Sequence, residues 1–220
     1  MPAEPLVSVV MAVRDGEEFV AEALDSALAQ THRPFEVVVI DDGSTDRSAE
    51  IARSYGPPVR CISTAPQGLA IARNLGIEAA CGEYVGFLDA DDHWPADRLS
   101  VQLEEIESPP PIDMVFGHEL RFPADGRRLL AARTGATMLV RRAALRRVGP
   151  FATEWQLGEF LDWLLRAEEL GLSMRMLPDV VIHRRVHQGN MTARGRGDYR
   201  DYARILSRSL ERRRRAAQDG

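Results

Sequence analysis

Cysteine is scarce in this chain. Its 220 residues hold two, Cys61 and Cys81, far apart, with no CxxC pair and no Cys/His cluster. That spacing excludes a disulfide framework and a zinc site, and the expectation is two buried thiols in a reducing compartment. Long apolar runs are missing as well: no stretch approaches the ~20 residues needed to span a bilayer. The N-terminal stretch "MPAEPLVSVVMAVRDGEE" has no basic segment ahead of its short apolar run, so a signal peptide is not indicated and the expected location is cytoplasmic. Lysine is absent, all 28 basic residues being arginine. What remains, 45% hydrophobic and 28% charged, is the composition of a globular protein with enough chain for one α/β domain and its core.

The net charge of -5 conceals an asymmetry: from Arg184 to Arg215 eleven arginines face three acids, a local +8, so the rest of the chain carries -13. Within that tail "YRDYARILSRSLERRRR" spaces Arg200, Arg204, Arg208 and Arg212 by four, on one face of a helix expected over residues 198–217. Tyr202, Ile205, Leu206 and Leu210 fall elsewhere around it. Two readings follow. Either the helix packs by its apolar side with its arginines in solvent, or it meets an anionic membrane surface or an acidic acceptor, which would put the protein peripherally at the inner face of a membrane. Nucleic acid is disfavoured, because the remaining chain is acidic and carries no nucleic-acid-binding motif.

The first half alternates. "LVSVVMAV" (Leu6–Val13), "FEVVVI" (Phe35–Ile40), "VRCIS" (Val59–Ser63) and "YVGFL" (Tyr84–Leu88) are short, β-branched and almost wholly apolar, as strands covered on both faces are. Helical patterns separate them, over Glu17–Gln30, Ser44–Tyr55 and Gly68–Ala80. The expected fold is therefore α/β, with a Rossmann-like, mostly parallel central sheet and helices on both faces. In the second half "DMVFGHELRF" and "RRLLAARTGATMLV" suggest a small antiparallel portion. A short helix "RRAALRRVG", a helix over Glu159–Leu170 and a strand near Val180–Val186 follow. The proline-rich "ESPPPID" between the halves is a connector, so a single domain is expected, with a first half over 6–106 and a second over 112–190.

Ligands of such sheets sit beyond the carboxyl ends of the strands. There the sequence runs into "AVRDG", "DDGSTD" and "DADD", polar at three strand ends of one rim. Asp42 or Ser44 can cap the next helix, and Gly43 suits a tight turn. Two adjacent carboxylates exceed what one cap requires, so one can face a ligand hydroxyl or base. In "DADD", Asp92 reads as the cap of the helix that "PADRLSVQLEEI" begins. Asp89 and Asp91, two apart on an extended segment, point the same way and converge hard oxygens on one cation. Carboxylates this close repel one another unless a metal or other cations offset them.

The stretches "VSVVMAVRDGEEFVAEALDSALAQTHRPFEVVVIDDGSTDRS", "GLAIARNLGIEAACGEYVGFLDADD" and "RRVHQGNMT", in order over residues 6–190, resemble the family-2 nucleotide-sugar glycosyltransferases of the GT-A fold. The resemblance makes "DAD" a DxD motif that binds Mn²⁺ or Mg²⁺ and the diphosphate of a nucleotide-sugar, a UDP-sugar foremost. It implies that Ala12, Val13 and Asp15 line the nucleotide pocket and that Asp42 reads the base. It also implies that Arg73 and Asn74 reach the donor, that Asp89 with its neighbour Ala90 meets ribose or metal, that Asp91 binds the metal, and that His187 completes the metal shell.

The family pattern breaks at the base. Inverting members place a Glu-Asp pair at a helix start, and in "GEFLDWLLRAEELG" the expected Asp is Phe160. Glu159, where the helix dipole favours a carboxylate, and Asp162, which also reads as an ion-pair partner of Arg166, are the candidates for general base. Trp94, Trp155 and Trp163 are candidate stacking surfaces for an acceptor, one of the latter two being core. The acceptor is open: glycan, lipid-linked glycan, small molecule or peptide. Two rivals stand beside this reading. One is a nucleotidyltransferase of similar fold, whose Gly-rich basic phosphate loop "MAVRDGEEF" lacks; the other is a non-catalytic nucleotide-sugar binder.

Overall fold

The apolar runs of the first half lie side by side in one sheet, with Val59–Ser63 at its edge. The computed structural model describes residues 4–122, 127–187 and 200–219. In chain order these form β1 (Val7–Val13), α1 (Val20–Leu28), β2 (Phe35–Asp41), α2 (Ser48–Ser54), β3 (Val59–Ser63), α3 (Leu69–Ala79) and β4 (Tyr84–Phe87). There follow α4 (Arg98–Glu107), β5 (Met114–Phe122), β6 (Arg128–Ala132), a 3-10 turn (Gly135–Thr137), β7 (Leu139–Arg141), α5 (Arg142–Val148), α6 (Glu159–Glu169), β8 (Met174–Arg185) and α7 (Arg200–Asp219). The sheet runs β3-β2-β1-β4-β7-β5-β6, and β8 pairs with the other edge of β5. Pairing is parallel from β3 to β4 and antiparallel through β7, β5 and β6, while β8 lies parallel to β5.

The pleat explains why these strands are apolar throughout. Val7, Val9, Met11 and Val13 of β1 pack with Phe35, Val37 and Val39 of β2 against α1, α2 and α4. Val10 of β1 faces the opposite layer, where α5 and α6 add Leu145, Trp163 and Leu164, while Val38 and Ile40 of β2 meet Ala72 of α3. β1 and β2 thus lose both faces to helices, and alternation disappears from their sequences; β3, expected to be covered in the same way, is instead the edge strand, with Arg60, Ile62 and Ser63 exposed. A buried arginine ties the two halves: Arg98 of α4 donates to Gln102 Oε1 at 3.0 Å, to the Val181 carbonyl at 3.1 Å and to the Met138 carbonyl at 3.3 Å, with its guanidinium 3.8 Å from the Trp94 ring centre. Burial pulls its pKa down, and the cation is tolerated because its donors are met.

Several local expectations change. Helix α2 starts at Ser48, four residues later than its expected start, because Ser44 has a tertiary partner: its hydroxyl accepts the Asp15 amide at 3.0 Å. Asp46 receives the Ser48 amide instead, at 2.9 Å. Asp92 caps nothing; α4 begins after Asp97, and an Asp92 carboxylate oxygen accepts the Arg185 amide at 2.8 Å. The thiols are not both buried, since Cys81 is exposed and Cys61 half-buried.

Helix α7 reverses the expected packing. Its arginine face runs along the edge of α6 and the loop before it, half open to solvent, with Arg208 pairing with Glu154 at 2.6 Å and Arg212 with Glu169 at 2.5 Å. Ile205 is fully buried, while Leu206 and Leu210 are exposed. Among the described residues no helix is long and apolar enough to cross a membrane.

Gly43 connects this fold to the rim of the sheet. Its φ is +71°, and a Cβ there would lie 2.6 Å from Pro66 Cδ. Gly43→Ala is expected to cost about 2 kcal/mol or more, from left-handed strain plus the clash. Urea unfolding of the two proteins measures this, and equal midpoints would refute the constraint.

Candidate functional site

Three loops at the carboxyl ends of β1, β2 and β4 meet on one rim, and the first two are stitched to each other. Asp15, at φ +50°, accepts the Thr45 amide at 2.7 Å and the Thr45 hydroxyl at 3.1 Å, bonds that pull its pKa down. The Gly16 amide donates to Ser48 Oγ at 2.8 Å and the Glu17 amide to Asp46 at 2.9 Å. Glu17 returns the contact by accepting the Arg47 amide at 3.0 Å. Asp46 and Thr45 carry no role in the sequence reading, yet they hold the first rim loop in place. The signal for them was the length of "DDGSTD", more polar residues than one cap uses.

Asp42 is buried, and its two carboxylate oxygens accept the amides of Gln67 at 2.7 Å and Gly68 at 2.9 Å. It thereby sets the start of α3, whose second turn carries Arg73. Asp41 accepts the Ser44 amide at 3.0 Å and closes its own turn. Ala12 and Ala90 are half-buried and Val13 is buried, on the strand ends around these loops.

The segment after β4 is a turn rather than extended chain, closed by the Asp92 amide on the Asp89 carbonyl at 3.1 Å. Asp89 and Asp91 therefore go separate ways. Asp89 meets the Arg73 guanidinium at 3.1 Å, and Asp91 meets His187 Nε2 at 3.0 Å. Both keep about a third of their side-chain surface exposed, 36% and 29%. Behind them Asp92 is buried, and burial with Asp89 and Asp91 as like charges pushes its pKa up to about 8. Cations gather around these acids as well: Arg184 acts on Asp92, and the buried Arg98 on Asp89 and Asp92.

Arg73 links this turn to the second half. Its side chain is 8% exposed, and its other terminal nitrogen donates to Glu159 Oε1 at 2.7 Å, in the first turn of α6. Glu159 is thus brought to Asp89 through one guanidinium. Asp162 is not: it is buried one turn away, 2.9 Å from Arg166 and 3.7 Å from Arg212, as an ion-pair anchor. Asn74 is also diverted, since its amide donates to the Phe151 carbonyl and accepts the Phe151 amide, both at 2.9 Å. Neither end of that side chain reaches toward a donor.

The three tryptophans offer no ring face. Trp163 is in the core, donating to the Gly149 carbonyl at 3.0 Å; Trp94 is covered by Arg98, and Trp155 by Arg204 and Arg208. Large rings at these positions had more to gain from packing than from stacking on a ligand.

For a divalent cation the donor chemistry is suitable: two partly exposed carboxylates and an imidazole favour Mn²⁺ or Mg²⁺ over softer metals. Among the described residues no three such groups are gathered within coordinating reach. Asp91 and His187 are in contact, with Asp89 on the same turn. The fit lies in the donors. The "QGN" part of the histidine motif lies outside the described residues.

A family model for "Glycosyl transferase family 2" matches residues 8–155. The chain is 42% identical over 106 residues, 47% of its length, to the uncharacterized glycosyltransferase EpsJ of Bacillus subtilis, of which that segment is 31%. It is 37% identical over 105 residues, 46% of its length, to the putative teichuronic acid biosynthesis glycosyltransferase TuaG of the same organism, of which that is 42%. The matched part is thus well under half of these curated relatives. Among solved structures, S. aureus TarS with UDP-GlcNAc superimposes with a TM-score of 0.79 at 21% identity, covering 92% of this chain and 65% of TarS. The mannosyltransferase PcManGT of Pyrobaculum calidifontis, with GDP-Man and Mn²⁺, gives 0.75 at 21% identity, covering 96% of this chain and 65% of the other. The fold is therefore that of GT-A glycosyltransferases, and with the family model matched over more than half its length, the chain belongs to glycosyl transferase family 2.

Proposed function

We propose that this chain is a metal-dependent inverting glycosyltransferase, in one domain, that moves a sugar from a nucleoside-diphosphate sugar to an acceptor hydroxyl. The observation that carries the reading is the Arg73 bridge, which joins the strand-end carboxylate Asp89 to Glu159 of α6. The half over 6–106 holds the donor and the half over 112–190 meets the acceptor. A UDP-sugar is the first choice of donor; UDP-GlcNAc bound to TarS and GDP-Man bound to PcManGT make UDP and GDP the two nucleotides to compare.

Ala12, Val13 and Asp15 line the nucleotide side, with Asp42 shaping it through the Gln67–Gly68 backbone. Asp91 and His187, with Asp89, would hold Mn²⁺ or Mg²⁺, which when bound neutralises charge on the diphosphate. Arg73 presents a guanidinium at the same place, suited to phosphate oxygens as the diphosphate leaves. Glu159 takes the proton from the acceptor hydroxyl as its oxygen attacks the anomeric carbon opposite the leaving group, which inverts the configuration. Asp162 is left out of the chemistry, because two arginines and the core hold it away.

Two experiments test this. Glu159→Gln is expected to keep the bond to Arg73, leave nucleotide affinity within a few-fold, and slow release of nucleoside diphosphate by roughly 10²–10⁴. Asp162→Asn is expected to leave release within roughly tenfold while costing about 1–3 kcal/mol of stability. The reverse pattern would transfer the base to Asp162, and donor binding without release from any donor and acceptor panel would make the chain a nucleotide-sugar binder.

Calorimetric titration with UDP and GDP, with and without Mn²⁺, is expected to show metal-dependent binding of one nucleotide, weakened at least about tenfold in Asp91→Ala. Equal binding by wild type and Asp91→Ala would remove Asp91 from the metal site.

A further inference from the structure

Helix α7 sits on the body the wrong way round for a surface helix. Such helices turn apolar residues to the core and charges to water. Here charges edge the contact with the body: Arg204 and Arg208, themselves exposed, lie over the Trp155 ring at 5.2 and 4.6 Å, and Arg212 reaches Glu169 and Asp162. Ser209 donates to Glu169 at 2.6 Å, and Asp201 accepts the Gln156 amide at 3.0 Å and the Leu157 amide at 3.3 Å. These contacts and the buried Ile205 suffice to dock the helix.

The outward side is the apolar one. Ala203, Leu206, Leu210 and Ala217 follow one another at three, four and seven residues, so they form a single stripe, and all four are exposed. The two leucines stand 49% and 55% open to solvent. Arg213 and Arg214 border this stripe and Arg215 follows them; Glu211 is the acid at its margin. Arg213 shares Glu168 at 3.5 Å, whereas Arg214 and Arg215 have no carboxylate partner among the described residues.

Area and charge together identify the occupant. Two leucines and two alanines fall far short of the roughly 800 Å² per partner that a stable protein interface buries. A narrow apolar stripe on a helix rich in arginine is instead the pattern of helices that lie in a bilayer interface. The helix itself carries seven arginines against three acids while the chain as a whole is at -5, so an anionic surface attracts this element in preference to the rest.

We propose that the outward face of α7 docks the domain on an anionic lipid bilayer, Leu206 and Leu210 entering the headgroup boundary and Arg214 beside them meeting lipid phosphates. This stands apart from the transferase reading and needs no donor or acceptor to be known.

Co-sedimentation of the full chain with vesicles of phosphatidylcholine alone, or with about a third phosphatidylglycerol, tests it. Binding is expected only to the anionic vesicles, weakened at least about tenfold by 0.5 M salt. Leu206→Glu/Leu210→Glu and Arg214→Glu are each expected to weaken it, the leucine pair at least about tenfold and the single arginine about threefold or more. Both variants leave the inward contacts intact, and unchanged circular dichroism and melting temperature verify that. Wild-type protein that stays in the supernatant overturns the proposal, as does undiminished binding by the leucine variant. A dimer seen by light scattering that the leucine variant converts to monomer also overturns it, by giving the stripe to a second copy.

Discussion

A single guanidinium, Arg73, holds the two halves of the site together. It is buried and stands between Asp89, from the end of β4, and Glu159, from the start of α6. A buried cation deprived of one partner costs several kcal/mol, so neither carboxylate is free to drift while the arginine stays. The surroundings fix Arg73 in turn. Asp42 sets the first turn of α3 through two amides, and Asn74, the next residue, is clamped to the Phe151 backbone on both sides. Gly135 leaves space opposite: a Cβ there would lie 3.5 Å from the guanidinium carbon and 3.3 Å from Phe160.

The acids of the rim divide by what satisfies them. Asp15, Asp41, Asp42 and Asp46 accept backbone amides, so their charge is spent on holding loops in shape. Asp89 and Asp91 instead face side chains brought from elsewhere, Arg73 and His187. Amide-bound carboxylates build the rim; those facing a guanidinium and an imidazole can exchange these partners for a ligand or cation of like charge. Asp92 shows the strain of collecting them, its pKa pushed up to about 8 behind its two neighbours.

β1 and β2 were legible because burial on both faces leaves an apolar, β-branched run that little else produces, and each differs from its expected span by one residue; β3 coincides with its span although, as the edge strand, it is not covered on both faces. Which residue caps a helix was not legible. Ser44 and Asp92 have the right chemistry, but a partner distant in sequence takes each of them, Asp15 for one and Arg185 for the other. The same holds in the site: the motif named Asp89 and Asp91, while the turn that separates them depends on a backbone bond that spacing does not reveal. Asn74 and the tryptophans failed for a related reason, since a residue able to bind a ligand is equally able to bind the protein. Helix α7 was legible as a helix, but its orientation was set by acids on α6 and the preceding loop, Glu154, Asp162 and Glu169, whose proximity only the fold supplies.

Phe160 stands where the resemblance led one to expect an aspartate, and the core gains from the ring. Its ring joins Phe116, Phe151 and Trp163, with centroids 6.3–6.4 Å away, in an aromatic cluster that anchors the first turn of α6 in the core. An aspartate there would lack those contacts, and a phenyl ring cannot accept a proton. Rotation by one residue along a helix is about 100°, so Glu159 leaves the helix in a different direction from Phe160. That direction leads to Arg73 at 2.7 Å, and through it to Asp89. The aromatic anchor and the arginine bridge are therefore complementary: one fixes the helix turn, and the other aims the carboxylate that this turn has left.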